Sequence, residues 1–310
     1  MLDADDVRRA VPMPAAVAAV REAFLELAAG RFEVPQRLSF AGATTLVMTA
    51  CHTPSSTTVV KTLNLVPGRT PMILGTLVWN TAEGQVVADA VEVTALRTGA
   101  VTGVATDLLA PPSASRLALL GTGAQAADQV RAVAAVRRLS RVSVFGRDLS
   151  RAQALADGLS AEFPEVAVQV ARRAPDAVSD VDVVCCATSS STPLFAVGDL
   201  PERVHVNAIG SYLPSMRELP AELLATAGCV VVDQIGAAMA EAGEVIHAVE
   251  TGLLGRGDLL ELGDALGKPP AVGGRTVFKS VGLAVQDWAV ARLLGEGRAG
   301  EVRRPAGSGF

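Results

Sequence analysis

The stretch from Arg116 to Val130 holds the spacing with the clearest chemical meaning in the chain. An apolar run, Leu117 to Leu120, enters a turn spaced Gly121-x-Gly123-x-x-Ala126, and Val130, Val133 and Val136 follow at helical intervals. Strand, glycine turn and helix in that order let backbone N–H groups cradle a pyrophosphate. Gly121 permits the tight turn, Gly123 lets the main chain approach the phosphates, and Ala126 is small enough for the helix to pack on the strand. The helix N-terminus adds unpaired N–H groups and the positive end of its dipole. Gly121, Thr122, Gly123, Ala124 and Gln125 are therefore the candidate dinucleotide-binding residues of this turn. A turn that merely packs a helix can share the spacing, so the flanking strand and helix are what favour the nucleotide.

The next strand, Val142–Phe145, is followed by Gly146, Arg147 and Asp148. In NAD sites an Asp or Glu commonly ends this strand and accepts hydrogen bonds from ribose hydroxyls. Gly146 stands in that position here and Arg147 follows, and a guanidinium suits a 2′-phosphate that a carboxylate would repel. NADP(H) is expected over NAD(H), with Ser150 and Arg151 as further donors. The alternative is a solvated Arg147, with Asp148 holding the ribose or capping the next helix. Thr188 and Ser189 follow the strand Val181–Cys186 and are expected on the nicotinamide side. Asn207 to Ser211 follows the next strand and is a second candidate for lining that cleft, although polar residues after a strand are also ordinary turn chemistry.

The N-terminal third offers Arg37, Lys61 and Arg97. Lys61 interrupts the apolar run Val59–Leu63, and Arg97 lies between Leu96 and Thr98. A cation among apolar neighbours either snorkels to water or faces an anion, and the residues alone leave both open. His52, His205 and His247 show no metal-ligand spacing. Cys51, Cys185, Cys186 and Cys229 form no CxxC pattern, so neither a disulfide nor a metal site is expected. The formal charge is −5 with no basic block, which gives nucleic acid or an anionic membrane no purchase. The N-terminus lacks the basic and apolar regions of a signal peptide, and no apolar run approaches a membrane span. A soluble chain in a reducing, cytoplasmic setting is expected.

These residues need elements to position them. At 310 residues, half of them hydrophobic and only 4% aromatic, the chain can fill two α/β-type cores. Val17, Val20, Phe24 and Leu27 mark one face of a helix over Pro14–Leu27. Strands are predicted at Thr44–Thr49, Thr57–Leu65, Ile73–Asn80 and Gln85–Ala90, joined by turns that include Pro67–Pro71, and a helix at Glu92–Leu109. From Arg116 the pattern becomes alternating β and α, with runs at Leu117–Leu120, Val142–Phe145, Val166–Val170, Val181–Cys186, Val204–Ile209 and Cys229–Val232. That alternation predicts a doubly wound parallel sheet. Arg275 to Gly295 reads as one long apolar-periodic segment packing back on the N-terminal region, and the Gly-, Arg- and Pro-rich tail from Gly297 is expected to be poorly ordered.

Taken together, several segments resemble the ornithine cyclodeaminase/μ-crystallin family. They are Pro35–Arg37, Leu46–Met48, Val60–Pro67, Thr94–Ala100, Leu120–Ala126, Asn207–Ser211 with Arg217–Leu219, and Phe278–Ala284, in family order along nearly the whole chain. The resemblance implies an NAD(P)-binding Rossmann domain over 113–274, beside an α+β substrate and dimerisation domain built from 1–112 and about 275–310. It implies a homodimer. It also turns Arg37, Lys61 and Arg97 into the cations that hold a substrate carboxylate, with Lys61 and Arg97 the candidate catalytic residues and Ser211 a candidate substrate contact. Two departures bear on the reaction. Cyclodeaminases of the family carry a glutamate where Leu46 stands and an aspartate where Ser211 stands, and a diamino acid needs such carboxylates for its distal amine. The resemblance is therefore to the members that reduce cyclic α-imino acids or ketimines with NAD(P)H, for example Δ1-pyrroline-2-carboxylate to proline. The alternatives are an NAD-dependent ornithine cyclodeaminase that releases ammonia, and a catalytically silent crystallin-like protein that binds NADP.

Overall fold

The computed structural model describes residues 1–40, 42, 44–66, 68 and 73–302, the side chains of 298–302 excepted. Most of the turn expected at Pro67–Pro71, and the last residues of the tail, lie outside the described residues. The chain divides into two compact units, Met1–Arg97 with Leu283–Phe310, and Thr98–Gly282.

The first unit contains α1 (Ala4–Ala10), α2 (Met13–Ala28), β1 (Phe32–Glu33), β2 (Leu38–Phe40), β3 (Thr45–His52), β4 (Thr57–Leu65), β5 (Ile73–Thr81) and β6 (Gly84–Asp89). It also takes α3 (Ala90–Leu109) as far as Arg97, and it closes with the last helix, Ala284–Val302. The sheet is antiparallel in the order β1-β3-β4-β5-β6, with β2 also paired to β3. Alternation decides which side chains are buried. On β4, Thr57, Val59, Lys61 and Leu63 point to the packed face, and Thr58, Val60 and Thr62 are only half-buried. The last helix packs on α2 and on β3 to β6. Gly295 makes that approach possible, because a Cβ there would sit 2.2 Å from Cζ3 of Trp79.

The second unit alternates strand and helix: β7 (Arg116–Leu120), α4 (Ala126–Val136), β8 (Arg141–Phe145), α5 (Leu149–Glu162), β9 (Ala167–Val170), α6 (Ala174–Val178), β10 (Val183–Cys186) and β11 (Val204–Ala208). There follow α7 (Ala221–Thr226), β12 (Cys229–Val232), α8 (Ile235–Glu241), α9 (Gly243–Glu250), β13 (Leu259–Glu261), α10 (Leu262–Gly267) and β14 (Arg275–Lys279), and the helix of the first unit that comes next is α11. All eight strands are parallel, in the order β13-β12-β14-β11-β10-β7-β8-β9. Both faces are covered. Leu117, Leu119, Val142, Val144, Val183 and Cys185 pack on one side with α4 and α5, and Ala118, Leu120, Val184 and Cys186 pack on the other. The sheet is thus doubly wound as the sequence predicted, and the strand order reverses between β7 and β10. In such sheets ligands bind outside the carboxyl ends of the strands at that reversal.

One expectation is corrected. Arg275–Lys279 is not the start of a helix packed on the N-terminal region but strand β14, paired with β11 and β12 in the parallel sheet. Its side chains are buried on both faces, which erases the alternation that marks a half-exposed strand. The two compact units meet within α3 and after Gly282.

Candidate functional site

The glycine turn lies at the strand-order reversal of the second unit. Gly121 has φ +120°, and a Cβ on it would lie 2.3 Å from the carbonyl oxygen of Ala187, the residue that follows β10. Its N–H donates to the Phe145 carbonyl at 2.8 Å, which ties the turn to the end of β8. Gly123 and Ala124 are exposed, a Cβ at Gly123 would meet nothing within 4 Å, and no side chain caps the N-terminus of α4. An open cradle of uncapped N–H groups fits a dinucleotide pyrophosphate.

At the end of β8 Gly146 stands where NAD sites commonly carry an acidic residue, and a Cβ there would meet Thr122 Cγ2 at 2.6 Å, so a side chain would require Thr122 to turn away. Asp148 caps α5 by accepting from the N–H groups of Ser150 at 2.9 Å and Arg151 at 3.2 Å. The Ser150 hydroxyl and those N–H groups hold its carboxyl below the usual range. Of the two alternative roles for Asp148, the structure shows the cap. Ser150 donates its hydroxyl to the same carboxylate at 2.8 Å. Arg147 is exposed, and Arg151 reaches the Thr122 carbonyl at 3.3 Å.

Beyond β10 and β11, two loops are knitted together by one carboxylate. Glu218 is fully buried. Its Oε1 accepts from the Thr188 N–H at 2.6 Å and hydroxyl at 2.9 Å, and its Oε2 accepts from the N–H groups of Gly210 at 2.7 Å and Ser211 at 3.2 Å. Burial pushes this carboxyl up, against the pull of Lys279. A Cβ on Gly210 would collide with the Thr188 backbone at 2.1 Å, so the loops touch main chain to main chain. Behind them Lys279 Nζ donates to the Ser211 carbonyl and hydroxyl and lies 3.3 Å from Glu244, all three residues being buried. Ser189 is exposed at the loop surface.

In the first unit, three cations gather on the packed face of the sheet. Lys61 is wholly buried, and its Nζ donates to Asp287 Oδ1 at 2.8 Å and Thr94 Oγ1 at 3.2 Å. Arg97 donates from Nη1 to Gln286 Oε1, and its Nε lies 3.5 Å from Asp287 Oδ1. Arg37 is half-buried, and with Arg97 its charge acts on Lys61. Burial first, then those two guanidiniums, lower Lys61 to about 8, while Asp287 opposes the shift.

A family model described as the ornithine cyclodeaminase/mu-crystallin family matches residues 1–301. The chain belongs to this family. A Δ1-pyrroline-2-carboxylate reductase of Bacillus cereus is 35% identical over 314 residues, covering 96% of this chain and 95% of that protein. Among solved structures, Thermococcus litoralis Δ1-pyrroline-2-carboxylate reductase in complex with NADH and L-proline superposes with a TM-score of 0.89 at 26% identity, covering 97% of this chain and 98% of that one. An archaeal alanine dehydrogenase dimer with bound NAD superposes with a TM-score of 0.88 at 28% identity, over 97% of this chain and 96% of that one.

As a member of the ornithine cyclodeaminase/μ-crystallin family, the chain departs from expectation at Ser211. That residue is 0% exposed, and its hydroxyl donates to the Glu244 carboxylate at 2.6–2.8 Å and accepts from Lys279. A hydroxyl held this way braces the loop rather than reaching for substrate. Sequence reasoning passed over Gln286, Asp287 and Glu244, and it gave no site role to Glu218 and Lys279, which lie in two of the segments that resemble the family. Some left a signal, a charged group beside large apolar residues, such as Lys279 after Phe278, or Asp287 before Trp288. Cys185 and Cys186 belong to the core, where burial pushes both thiols up, Cys185 to about 12. Among the described residues no group of His, Cys, Asp and Glu is arranged to hold a metal, and no helix is long and apolar enough to cross a membrane.

Proposed function

We propose that this family member is an NAD(P)H-dependent reductase of cyclic α-imino acids, with Δ1-pyrroline-2-carboxylate as substrate and proline as product. The observation that carries the reading is the gathering of Arg37, Lys61 and Arg97, with Asp287 facing Lys61 and Arg97. Three cations brought together around a buried place suit an anionic ligand. The substrate's carboxylate is that ligand, and Arg97 and Arg37 grip it with charge-assisted hydrogen bonds. When bound, the nicotinamide supplies a hydride to the imine carbon. The ring nitrogen gains one proton in the same reaction, and Lys61, as the ammonium, provides it and is reprotonated from solvent.

The exposed Gly123–Ala124 segment and the uncapped start of α4 support pyrophosphate binding at Gly121 to Gln125. Thr188 and Ser189 flank the nicotinamide. Arg147, exposed beside a Gly146 that brings no carboxylate, supports NADP(H) over NAD(H). In this reading the first unit binds substrate and dimerises, and the second binds the cofactor. Four free cysteines suit a reducing, cytoplasmic location. The test is oxidation of NADPH and of NADH against a panel of cyclic imino acids and pyruvate–amine mixtures. Rapid NADPH oxidation with Δ1-pyrroline-2-carboxylate and formation of proline is the expected result. No turnover with any imine overturns the reading in favour of a silent binding protein.

A further inference from the structure

Gln286 and Asp287 are neighbours near the start of α11, and both are wholly buried. The residues around them, Ala284, Val285, Trp288, Ala289 and Val290, are apolar and buried as well. An amide and a carboxylate in such surroundings cost stability that apolar side chains of the same size would not. Their partners account for them. Asp287 Oδ1 faces Lys61 Nζ at 2.8 Å and Arg97 Nε at 3.5 Å, and Gln286 Oε1 accepts from Arg97 Nη1.

We propose that Gln286 and Asp287 are the positioning pair for the cations: Asp287 keeps Lys61 in its ammonium form, and Gln286 fixes the plane of the Arg97 guanidinium. The proposal rests on the reductase reading above and adds two residues that act through others. Among the described residues, the charged groups that act on Lys61 come from three elements. Asp287 comes from α11, Arg97 from α3 beside the neutral Thr94, and Arg37 from the approach to β2. The cross-strand neighbours, Met48 on β3 and Leu77 on β5, carry no charge. Of these groups Asp287 favours the ammonium, against burial and two guanidiniums.

Lys61 serves a carboxylate or an imine nitrogen only while protonated. Activity is therefore present below its pKa and lost as pH rises through it. Removing the Asp287 charge lets Lys61 deprotonate sooner, so the loss begins at lower pH. The profile of kcat/KM reports the free enzyme, in which this network stands as described.

The experiment follows two quantities against pH: kcat/KM for Δ1-pyrroline-2-carboxylate, and the affinity for the planar, unreactive pyrrole-2-carboxylate by calorimetry. In Asp287→Asn the alkaline fall of both is expected to move down by about one pH unit or more. Asp287→Glu, which keeps the charge, should stay close to the unmodified protein. Gln286→Leu should raise the imine KM and weaken pyrrole-2-carboxylate binding about ten-fold, with the alkaline fall and the NADPH KM unmoved. A folded Asp287→Asn with an unshifted profile overturns the proposal. Should that variant fail to fold, Gln286→Leu decides, and unchanged affinities in it overturn the proposal too. An unmodified protein that binds pyrrole-2-carboxylate with this pH dependence yet reduces no imine refutes the reductase reading and leaves the positioning pair standing. One that binds no pyrrole-2-carboxylate refutes both.

Discussion

Arg97 is tied at two points, through Nη1 to Gln286 and through Nε toward Asp287, and its side chain is 8% exposed. A guanidinium fixed in this way is pre-oriented for a carboxylate, which a flexible ammonium is not. Arg97→Ala should lower kcat/KM for the imine by about 2–4 kcal/mol, because a desolvated charge-assisted contact is lost. The NADPH KM should stay unchanged in the same steady-state series, and an equal loss in cofactor binding would mark a purely structural arginine. Leu46 bears on the reaction at the same scale. It is buried and pairs across the sheet with Leu63, and Ser211 is held by Glu244 and Lys279. Neither offers a free carboxylate to a distal amine, so no appreciable ammonia release from L-ornithine is expected; a coupled ammonia assay checks this. The trio was legible in the sequence because each cation interrupts an apolar run or sits in a family segment. Asp287 was not, because its contact with Lys61 joins residues 226 positions apart.

Elements explain both what the sequence announced and what it concealed. The strands of the first unit alternate between a packed face and an open one, and the pattern located β3 to β6 to within a few residues. β14 carries no such mark, and β13 is only three residues long, so these two strands went unlocated, whereas their neighbours β11 and β12 announced themselves as apolar runs. Glu218 joins the loops after β10 and β11 and has four donors to satisfy. In Glu218→Gln the amide NH2 would face an N–H donor, leaving buried donors unmatched. Cofactor affinity should fall by about 1–3 kcal/mol in calorimetric titration with NADPH. On β11, His205 is buried between Thr276 Oγ1 at 2.9 Å and Asn207 Oδ1 at 3.0 Å. Burial lowers it to about 4. Its folded pKa lies below the ordinary value of 6.5, so its stabilising contribution is complete above that pH and is lost as pH falls toward 4. By linkage the loss at pH 4.5 amounts to roughly 2–3 kcal/mol. Denaturant titrations at pH 7.5 and 4.5 should therefore show a larger drop for the natural protein than for His205→Gln.

At the scale of the whole molecule, the outer face of the first unit's sheet leaves an interaction to be made. Val47, Val60, Val78 and Val87 lie on it half-buried, with Thr49 and Thr62 between them. Leu38 and Phe40 on β2 stand opposite Val47 and Thr45, on the same face, and are 56% and 52% exposed. A row of valines and threonines continuous with two exposed large apolar side chains is a surface suited to another protein face. A second copy of the chain is the occupant we propose, and two such faces meeting about a two-fold axis would be self-complementary, each contact occurring twice. That duplication sharpens the test. Val78 pairs with Val60 on one side and Val87 on the other, so a charge at its position would lie within the row and be buried twice over. Leaving such charges unpaired costs several kcal/mol, of the order of 3–5 for each broken or unmatched site. We expect the natural protein to sediment at twice the chain mass at micromolar concentration, and Val78→Lys to sediment as a folded monomer. A natural protein that is monomeric at that concentration, or a Val78→Lys variant that still sediments as a dimer, would remove this face from the assembly.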